Sequence, residues 1–374
     1  MIIAGEASGD LHGAPLIKKL KEFDSEVTCF GIGGDKMISE GFNVEYHVRD
    51  MAFLGFVEVI RHLPYIKKVQ RRLIEIIKEK DIKTVVLIDY PGFNLNFAKK
   101  VKKLGINIVY YISPQIWAWG QKRIKKIKRL VDEMIVVFPF EKEFYESYGV
   151  KVEFVGHPLI QSVDNYTYME RKELFDTFSL NKDKEILLLL PGSRKQEIEK
   201  IFPETIKAAE KLSSKFNMQT VVACPENIDK SIFESVSSAS DYRVVCNHSY
   251  DLMKYAKFGI IKSGTSTIEA ALFKLPFIVV YATSGITYRI GKALVKIKHI
   301  AMANIILGKT VVDEFIQDDV ECTKIVNRVS EILSSNDLYT SISNDLELVR
   351  NKLGIGNAPE NAAKLILKFV NGKI

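Results

Sequence analysis

The residues best suited to chemistry lie in short turns that follow apolar runs. Gly192, Ser193 and Arg194 come directly after the leucines at 187–190. The glycine allows close backbone approach, Ser193 is placed to cap the next helix, and Arg194 offers a planar cation that matches phosphate oxygens. A helix N-terminus adds N–H groups and a dipole that attract anions. The turn therefore predicts a phosphate site, with a surface arginine in an ordinary turn as the alternative.

A second turn of small residues has the same character. Ser263 and Gly264 follow the apolar run at 258–261, and Thr265, Ser266 and Glu269 begin the next predicted helix. Ser266 and Glu269 also have the spacing of a capping box, which is the structural alternative. As a binding site, Thr265 and Ser266 contact a diphosphate and Glu269 holds ribose hydroxyls. Two such turns at strand ends indicate a nucleoside diphosphate, and because the chain has no Asp-x-Asp pair, no metal is predicted to bridge it.

Asp89 is a candidate general base. It ends the apolar run at 84–88 and precedes Pro91. A carboxylate at the carboxyl end of a buried strand can take a proton from a hydroxyl, especially if burial raises its pKa. The alternative is an aspartate that only forms the turn before the proline.

Both tryptophans lie in one segment beside cations. Gln115, Trp117 and Trp119 follow the apolar run at 106–112, and Arg123 opens a basic stretch. Amphipathic rings beside cations suit a sugar, a phosphate or a lipid headgroup, and a nucleic-acid groove uses similar residues. Packing in the core explains one tryptophan more readily than two.

The elements that must position these residues alternate between strand and helix. The pattern predicts an α/β chain with parallel sheets, in two doubly wound, Rossmann-like halves facing each other across a cleft. The first domain is predicted at 1–160 and the second at 161–354, with a last helix near 355–374 that crosses back to the first domain or is exchanged in a homodimer. After Val311 only helices are predicted.

Composition narrows the class of protein. The chain has 374 residues, 47% of them hydrophobic and 26% charged, which is typical of a folded globular protein of two domains. The four scattered cysteines predict free thiols. Between Phe93 and Val131 there are ten lysines and arginines and no acidic residue. That stretch favours an anionic partner, the alternative being solvated helix faces.

Several motifs together resemble one family. They are Gly5-Glu6-Ala7-Ser8-Gly9-Asp10, Gly31-Ile32-Gly33-Gly34, the segment 51–58, Ser113-Pro114-Gln115-Ile116-Trp117-Ala118-Trp119, Phe138-Pro139-Phe140-Glu141, Val155-Gly156-His157-Pro158, Leu190-Pro191-Gly192-Ser193-Arg194 and Ser263-Gly264-Thr265. In this order they resemble the lipid-A-disaccharide synthases, which are GT-B glycosyltransferases. The resemblance implies transfer of 2,3-diacylglucosamine from its UDP form to 2,3-diacylglucosamine 1-phosphate (lipid X). The products would be a β(1→6)-linked disaccharide 1-phosphate and UDP.

The resemblance also implies roles for individual residues. Asp89 corresponds to the proposed base and Arg194 to the arginine that binds the donor. Asn304 corresponds to an asparagine of the nucleotide domain. The loop facing the reaction centre would contain Glu6, Ser8, Asp10 and His12. No cofactor is implied.

A membrane surface is the expected setting for acylated substrates. Residues 53–68 interleave apolar and basic side chains, which suits an anionic bilayer; an amphipathic helix on its own sheet is the alternative. With no signal peptide or spanning segment evident, the expectation is a cytoplasmic protein bound peripherally to the inner membrane. Other UDP-GlcNAc-type GT-B transferases, UDP-GlcNAc 2-epimerases and, remotely, nucleic-acid-binding proteins remain alternatives.

Overall fold

The computed structural model describes residues 1–51, 62–239, 241–294, 297–354 and 356–372. The chain forms two compact units. Unit 1 contains the described residues of Met1–Gln161 and Leu353–Ile374, and unit 2 those of Ser162–Lys352.

Unit 1 is built on a parallel sheet of seven strands in the order β3-β2-β1-β4-β5-β6-β7. The strands are β1 (Ile2–Ala4), β2 (Phe30–Gly33), β3 (Asn43–His47), β4 (Thr84–Ile88), β5 (Asn107–Tyr111), β6 (Glu133–Val136) and β7 (Val152–Phe154). Every residue of the central strands β1 and β4 is buried, because both faces of a parallel sheet are covered. Their carboxyl ends, at Ala4 and Ile88, lie side by side in register.

Helices connect these strands. They are α1 (Ala7–Phe23), α2 (Asp35–Ser39), α3 (Leu63–Glu79), α4 (Pro91–Lys102), α5 (Ile124–Leu130), α6 (Pro139–Ser147) and α7 (Pro158–Asp164). In α3 the apolar residues recur at helical spacing, so that Val69, Leu73 and Ile77 are buried. Lys67 and Lys68 are exposed. In the described part of the segment 53–68, Tyr65 and Ile66 are partly buried against the core and Leu63 is exposed, whereas residues 53–61 lie outside the described residues.

Unit 2 has a parallel sheet of six strands in the order β10-β9-β8-β11-β12-β13. The strands are β8 (Glu185–Leu190), β9 (Met218–Cys224), β10 (Arg243–Cys246), β11 (Ala256–Lys262), β12 (Phe277–Tyr281) and β13 (Glu314–Ile316). Its helices are α8 (Arg171–Thr177), α9 (Lys195–Phe216), α10 (Ser231–Val236), α11 (Ser249–Tyr255), α12 (Thr265–Leu272), α13 (Gly285–Leu294), α14 (Met302–Leu307), α15 (Cys322–Ser334) and α16 (Asn336–Lys352). Strands β8 and β11 are neighbours, which brings the turns after Leu190 and Lys262 to one edge of the sheet.

The last helix, α17 (Ala358–Val370), belongs to unit 1. It packs against α1, and the Asn361 side-chain amide donates a hydrogen bond to the Val155 carbonyl at 3.1 Å. The backbone N–H of His157 donates to the Leu353 carbonyl at 3.1 Å. These contacts fix the returning chain to unit 1.

Two parallel, doubly wound sheets confirm the predicted α/β class, and all four cysteines are free thiols. One expectation was wrong: the chain after Val311 is not all helical, because β13 pairs with β12 at the edge of the sheet. Within the described ranges no helix is long and apolar enough to span a membrane.

Candidate active site

The chain turns sharply where β4 and β5 end. Asp89, Tyr90 and Ile112 have φ angles of +43°, +45° and +60°. Left-handed backbone is uncommon for side chains other than glycine and costs of order 1 to 3 kcal/mol per residue. Such strain persists only where the surroundings impose it, and it is concentrated at functional sites. The ends of β4 and β5 are therefore a candidate functional site.

Specific contacts hold the strained turn. The Asp89 carbonyl accepts hydrogen bonds from the Tyr110 hydroxyl at 2.5 Å and from the Asn94 side-chain amide at 2.7 Å. The Tyr90 hydroxyl donates to the Met51 carbonyl at 3.0 Å. The Tyr90 ring lies so close to Gly5 that a Cβ there would be 2.1 Å from its Cδ1 atom. Glycine in the first motif is thus required by the turn after β4.

Asp89 and Glu6 form a pair of carboxyl groups. Their side chains share a hydrogen bond, and the Ser8 hydroxyl donates to Glu6 Oε1 at 3.1 Å. Burial, as the largest cause, and then the nearby charge of Glu6 and its hydrogen bond together raise the pKa of Asp89 to about 7. A carboxyl group that titrates near neutral pH is suited to accept a proton from a hydroxyl.

Asp10 and His12 lie in α1, which begins at Ala7, and not in the loop that the resemblance implies. Asp10 is 6% exposed and accepts hydrogen bonds from three backbone N–H groups at the start of α2, those of Gly34, Lys36 and Met37. Its carboxylate therefore caps α2, which is a structural role, and the expected catalytic role stays a prediction. Burial lowers the pKa of His12 to about 4, so its ring is neutral at neutral pH.

The two tryptophans have separate environments. Trp117 is buried, stacks edge-on against Phe140 at 4.8 Å, and donates from Nε1 to Glu141 at 3.1 Å. Trp119 is 43% exposed, and the Arg123 guanidinium lies 4.8 Å from its ring centre. One ring is core and the other is available to a ligand. Gln115 is also exposed.

Glu141, which we had not singled out as a site residue, anchors the tryptophan segment. It is 1% exposed and also accepts hydrogen bonds from the Ser113 hydroxyl at 2.7 Å and the Phe138 N–H at 3.3 Å. Burial raises its pKa to about 7. The only sequence signal was its place in the motif Phe138-Pro139-Phe140-Glu141.

In unit 2, the turn after β8 already contains an anion from the protein itself. The Ser193 N–H donates to Glu197 Oε2 at 3.2 Å, and Lys262 Nζ lies 2.9 Å from Glu197 Oε1. The predicted cap was wrong: Arg194, not Ser193, is the N-cap residue of α9, and no side chain caps the helix. Arg194 has an 80% exposed side chain and is open to a ligand. Gly192 has a φ of +135°, a value that favours glycine.

The turn after β11 lacks the capping box, since no side chain caps α12 and Ser266 Oγ instead points to the Lys262 carbonyl at 3.5 Å. Thr265 is exposed, and the Ser263 hydroxyl donates to the Ile300 carbonyl at 3.0 Å. Glu269 accepts a hydrogen bond from the Tyr250 hydroxyl at 3.1 Å, and burial raises its pKa.

Asn304 is fully buried at the start of α14. Its amide donates to the Val312 carbonyl at 2.8 Å and to Glu314 at 2.9 Å, and its oxygen accepts from the N–H groups of Val311 and Val312. The Asn304 amide nitrogen and the side-chain oxygen thus both form hydrogen bonds within the protein. Asn304 therefore holds the segment before β13, and its expected contact with a ligand stays a prediction.

Comparisons with known proteins agree in sequence and in fold. Residues 1–368 match the family described as lipid-A-disaccharide synthetase. Lipid-A-disaccharide synthase from Geobacter sulfurreducens is 37% identical, over 100% of this chain and 98% of that protein. The enzyme of the same name from Trichlorobacter lovleyi is 38% identical, over 99% and 97%.

Solved structures show the likeness of the fold. UDP-GlcNAc 2-epimerase from Neisseria meningitidis, bound to UDP-GlcNAc, has a TM-score of 0.66 at 13% identity, covering 98% of this chain and 99% of that one. The calicheamicin glycosyltransferase CalG4 has a TM-score of 0.62 at 14% identity, covering 100% and 98%. At such identities the likeness is one of fold alone, the GT-B fold that these proteins share.

Proposed function

The chain belongs to the lipid-A-disaccharide synthase family of glycosyltransferases, and we propose that it joins two diacylglucosamine substrates. The donor is UDP-2,3-diacylglucosamine and the acceptor is 2,3-diacylglucosamine 1-phosphate. The products are the β(1→6)-linked disaccharide 1-phosphate and UDP.

The observation that carries the mechanism is the raised pKa of Asp89 beside Glu6. In the proposed step Asp89 takes the proton of the acceptor 6-hydroxyl while that oxygen attacks the anomeric carbon of the donor. The new C–O bond forms as the bond from this carbon to the UDP oxygen breaks, so the anomeric configuration inverts. Asp89 then holds the proton, and its pKa of about 7 suits both uptake and later release.

We assign the donor to unit 2. Arg194 and Thr265 are exposed at turns on one edge of its sheet and would bind the diphosphate, with Ser266 and the N-termini of α9 and α12 beside them. Glu269 would hold the ribose hydroxyls. These groups would offset the charge that develops on UDP, which is why we propose a reaction without a metal.

We assign the acceptor to unit 1, with Trp119 as an exposed contact, Arg123 as a partly buried contact and Trp117 as a buried support. The same substrates require contact with a lipid surface, and we propose peripheral attachment to the inner membrane, which high salt would weaken. A homodimer remains our proposal, although α17 returns to unit 1 of its own chain.

The test is UDP release from the two substrates in EDTA, with the product mass determined. A tetraacyl disaccharide phosphate is the expected product, and its loss in EDTA would refute metal independence. Activity on UDP-GlcNAc without acyl chains would instead favour a 2-epimerase or another UDP-sugar transferase, the second candidate that the fold supports.

A further inference from the structure

A cluster of basic side chains lies on two helices of unit 1. We call it the cation cluster, and its members are Lys99, Arg123, Lys126 and Arg129. Lys99 is on α4, and the others follow a three-residue spacing from the turn before α5 along that helix. Residues three apart on a helix lie on one side of it, so this spacing gathers the charges.

In the part of the chain that the structure describes, no carboxylate forms an ion pair with the cation cluster. Among the described residues none of its four members forms a salt bridge, although Lys102 on the same helix as Lys99 pairs with Asp132. Lys126 donates a hydrogen bond to the Asn96 side-chain oxygen at 3.0 Å. Partial burial lowers the pKa of Lys126, and the charges of the other three members lower it further. The cluster is thus a local concentration of positive charge.

Arg123 is the member that connects the cation cluster to the surroundings of Asp89. The Tyr110 hydroxyl donates to the Asp89 carbonyl at 2.5 Å. Burial raises the pKa of Tyr110 well above its usual value and the Asp89 charge adds to this, whereas the Arg123 charge lowers it. Both charges therefore act on one hydroxyl. Arg123 also lies over the exposed ring of Trp119, which places an aromatic surface next to the cluster.

We propose that the cation cluster binds the phosphomonoester of the acceptor substrate. This inference rests on the proposed function and adds the group that selects the acceptor. A phosphomonoester is a compact dianion with three acceptor oxygens, which matches several neighbouring ammonium and guanidinium groups. An acceptor held there by its phosphate would direct the opposite end of its sugar toward Asp89.

The test compares acceptors with and without the phosphate. The probes are 2,3-diacylglucosamine 1-phosphate and 2,3-diacylglucosamine, each in detergent micelles at saturating donor. For the wild type, loss of the phosphate should lower kcat/KM at least tenfold. For Lys126→Ala, kcat/KM should fall about tenfold with the phosphorylated acceptor and less than about twofold with the other, since a lost charge-assisted hydrogen bond has an effect of this size. The donor KM should not change.

Lys128→Ala is the matched control. It removes one positive charge from the same helix, but Lys128 Nζ lies beside Gly149, 3.0 Å from where a Cβ would be. It should behave as the wild type with both acceptors. Lys126→Met, which retains the aliphatic stem, should reproduce Lys126→Ala and shows that packing is not the cause.

Three results would separate the explanations. Equal loss with both acceptors would refute recognition of the phosphate by Lys126. Equal loss in Lys126→Ala and Lys128→Ala, with weaker binding to vesicles of phosphatidylglycerol and phosphatidylcholine, would assign the cluster to the membrane surface and overturn the inference. A folded wild type that makes no disaccharide would refute the proposed function itself, and phosphate-dependent binding of the acceptor would then still test the cluster.

Discussion

Replacing Glu6 with glutamine should move the pH dependence of the reaction. The pKa of Asp89 rises from 3.8 to about 7, with burial the larger cause and Glu6 the second. Glutamine keeps the size and a hydrogen bond but removes the charge. The acid limb of kcat/KM, expected near pH 7 in the wild type, should therefore move toward lower pH while staying above the ordinary range of an aspartate.

The size of this shift follows from the order of the causes. The whole elevation is 7 minus 3.8, about 3 pH units, and the charge of Glu6 contributes less to it than burial does. Removing the charge of Glu6 should thus lower the midpoint by between about half a unit and about one and a half units. A larger shift would mean that Glu6, and not burial, dominates.

The assay is kcat/KM for the acceptor, measured from about pH 5 to about pH 9 at saturating donor. The midpoint is the readout, since the height of the profile also reports any direct role of Glu6. Asp89→Asn is the control: it should lower kcat by about a hundredfold to ten-thousandfold and abolish the limb. A midpoint that stays fixed or rises in Glu6→Gln would refute the argument, and a limb that survives in Asp89→Asn would belong to another group, with Glu141 the first candidate.

Three further predictions concern other parts of the structure. Arg194→Ala should raise the donor KM about tenfold or more and leave the acceptor KM unchanged, with Arg194→Lys recovering part of the loss; equal donor KM values in all three proteins would contradict the assignment. The pKa of Glu141 is higher in the folded protein than its ordinary 4.5, so its contribution to stability is lost as pH rises from 4.5 through about 7. Glu141→Gln should therefore flatten the fall in Tm over that range. Parallel Tm curves for the two proteins would count against this argument. Gly5→Ala should destabilise the fold by about 1 to 3 kcal/mol by displacing the Tyr90 ring, whereas Gly92→Ala, with no atom within 4 Å of its Cβ, should be near neutral in the same denaturant titration.

The sequence predicted the buried strands well because parallel central strands are apolar on both faces. The apolar run at 84–88 has the bounds of β4, and the leucines at 187–190 form most of β8. The edge strand Asn43–His47 was missed, since its exposed and partly buried side chains give no apolar run. The three residues of β13 were too few to be recognised among helices.

The roles of the site residues were harder to predict than the positions of the strands. A carboxylate or amide near a strand end can bind a substrate, or it can accept hydrogen bonds from the unpaired N–H groups of a helix or turn. Asp10 and Asn304 have the second role, which only their hydrogen-bond partners reveal. Lys262 and Glu197 were overlooked because neither forms a motif alone; they meet only through the pairing of β8 with β11.

The carboxylate of Glu197 gives the phosphate turn a resident competitor. Being tethered in the same helix, it acts at a high effective concentration, on the order of millimolar or more for a group on a short link. If the donor phosphates bind here as proposed, they would replace Glu197 at Ser193 and Lys262, and a lone inorganic phosphate would gain little by the exchange. A ligand that brings a second phosphate and a nucleoside gains contacts that Glu197 cannot imitate. The turn would thereby bind the abundant simple anions of a cell weakly and the whole donor more tightly.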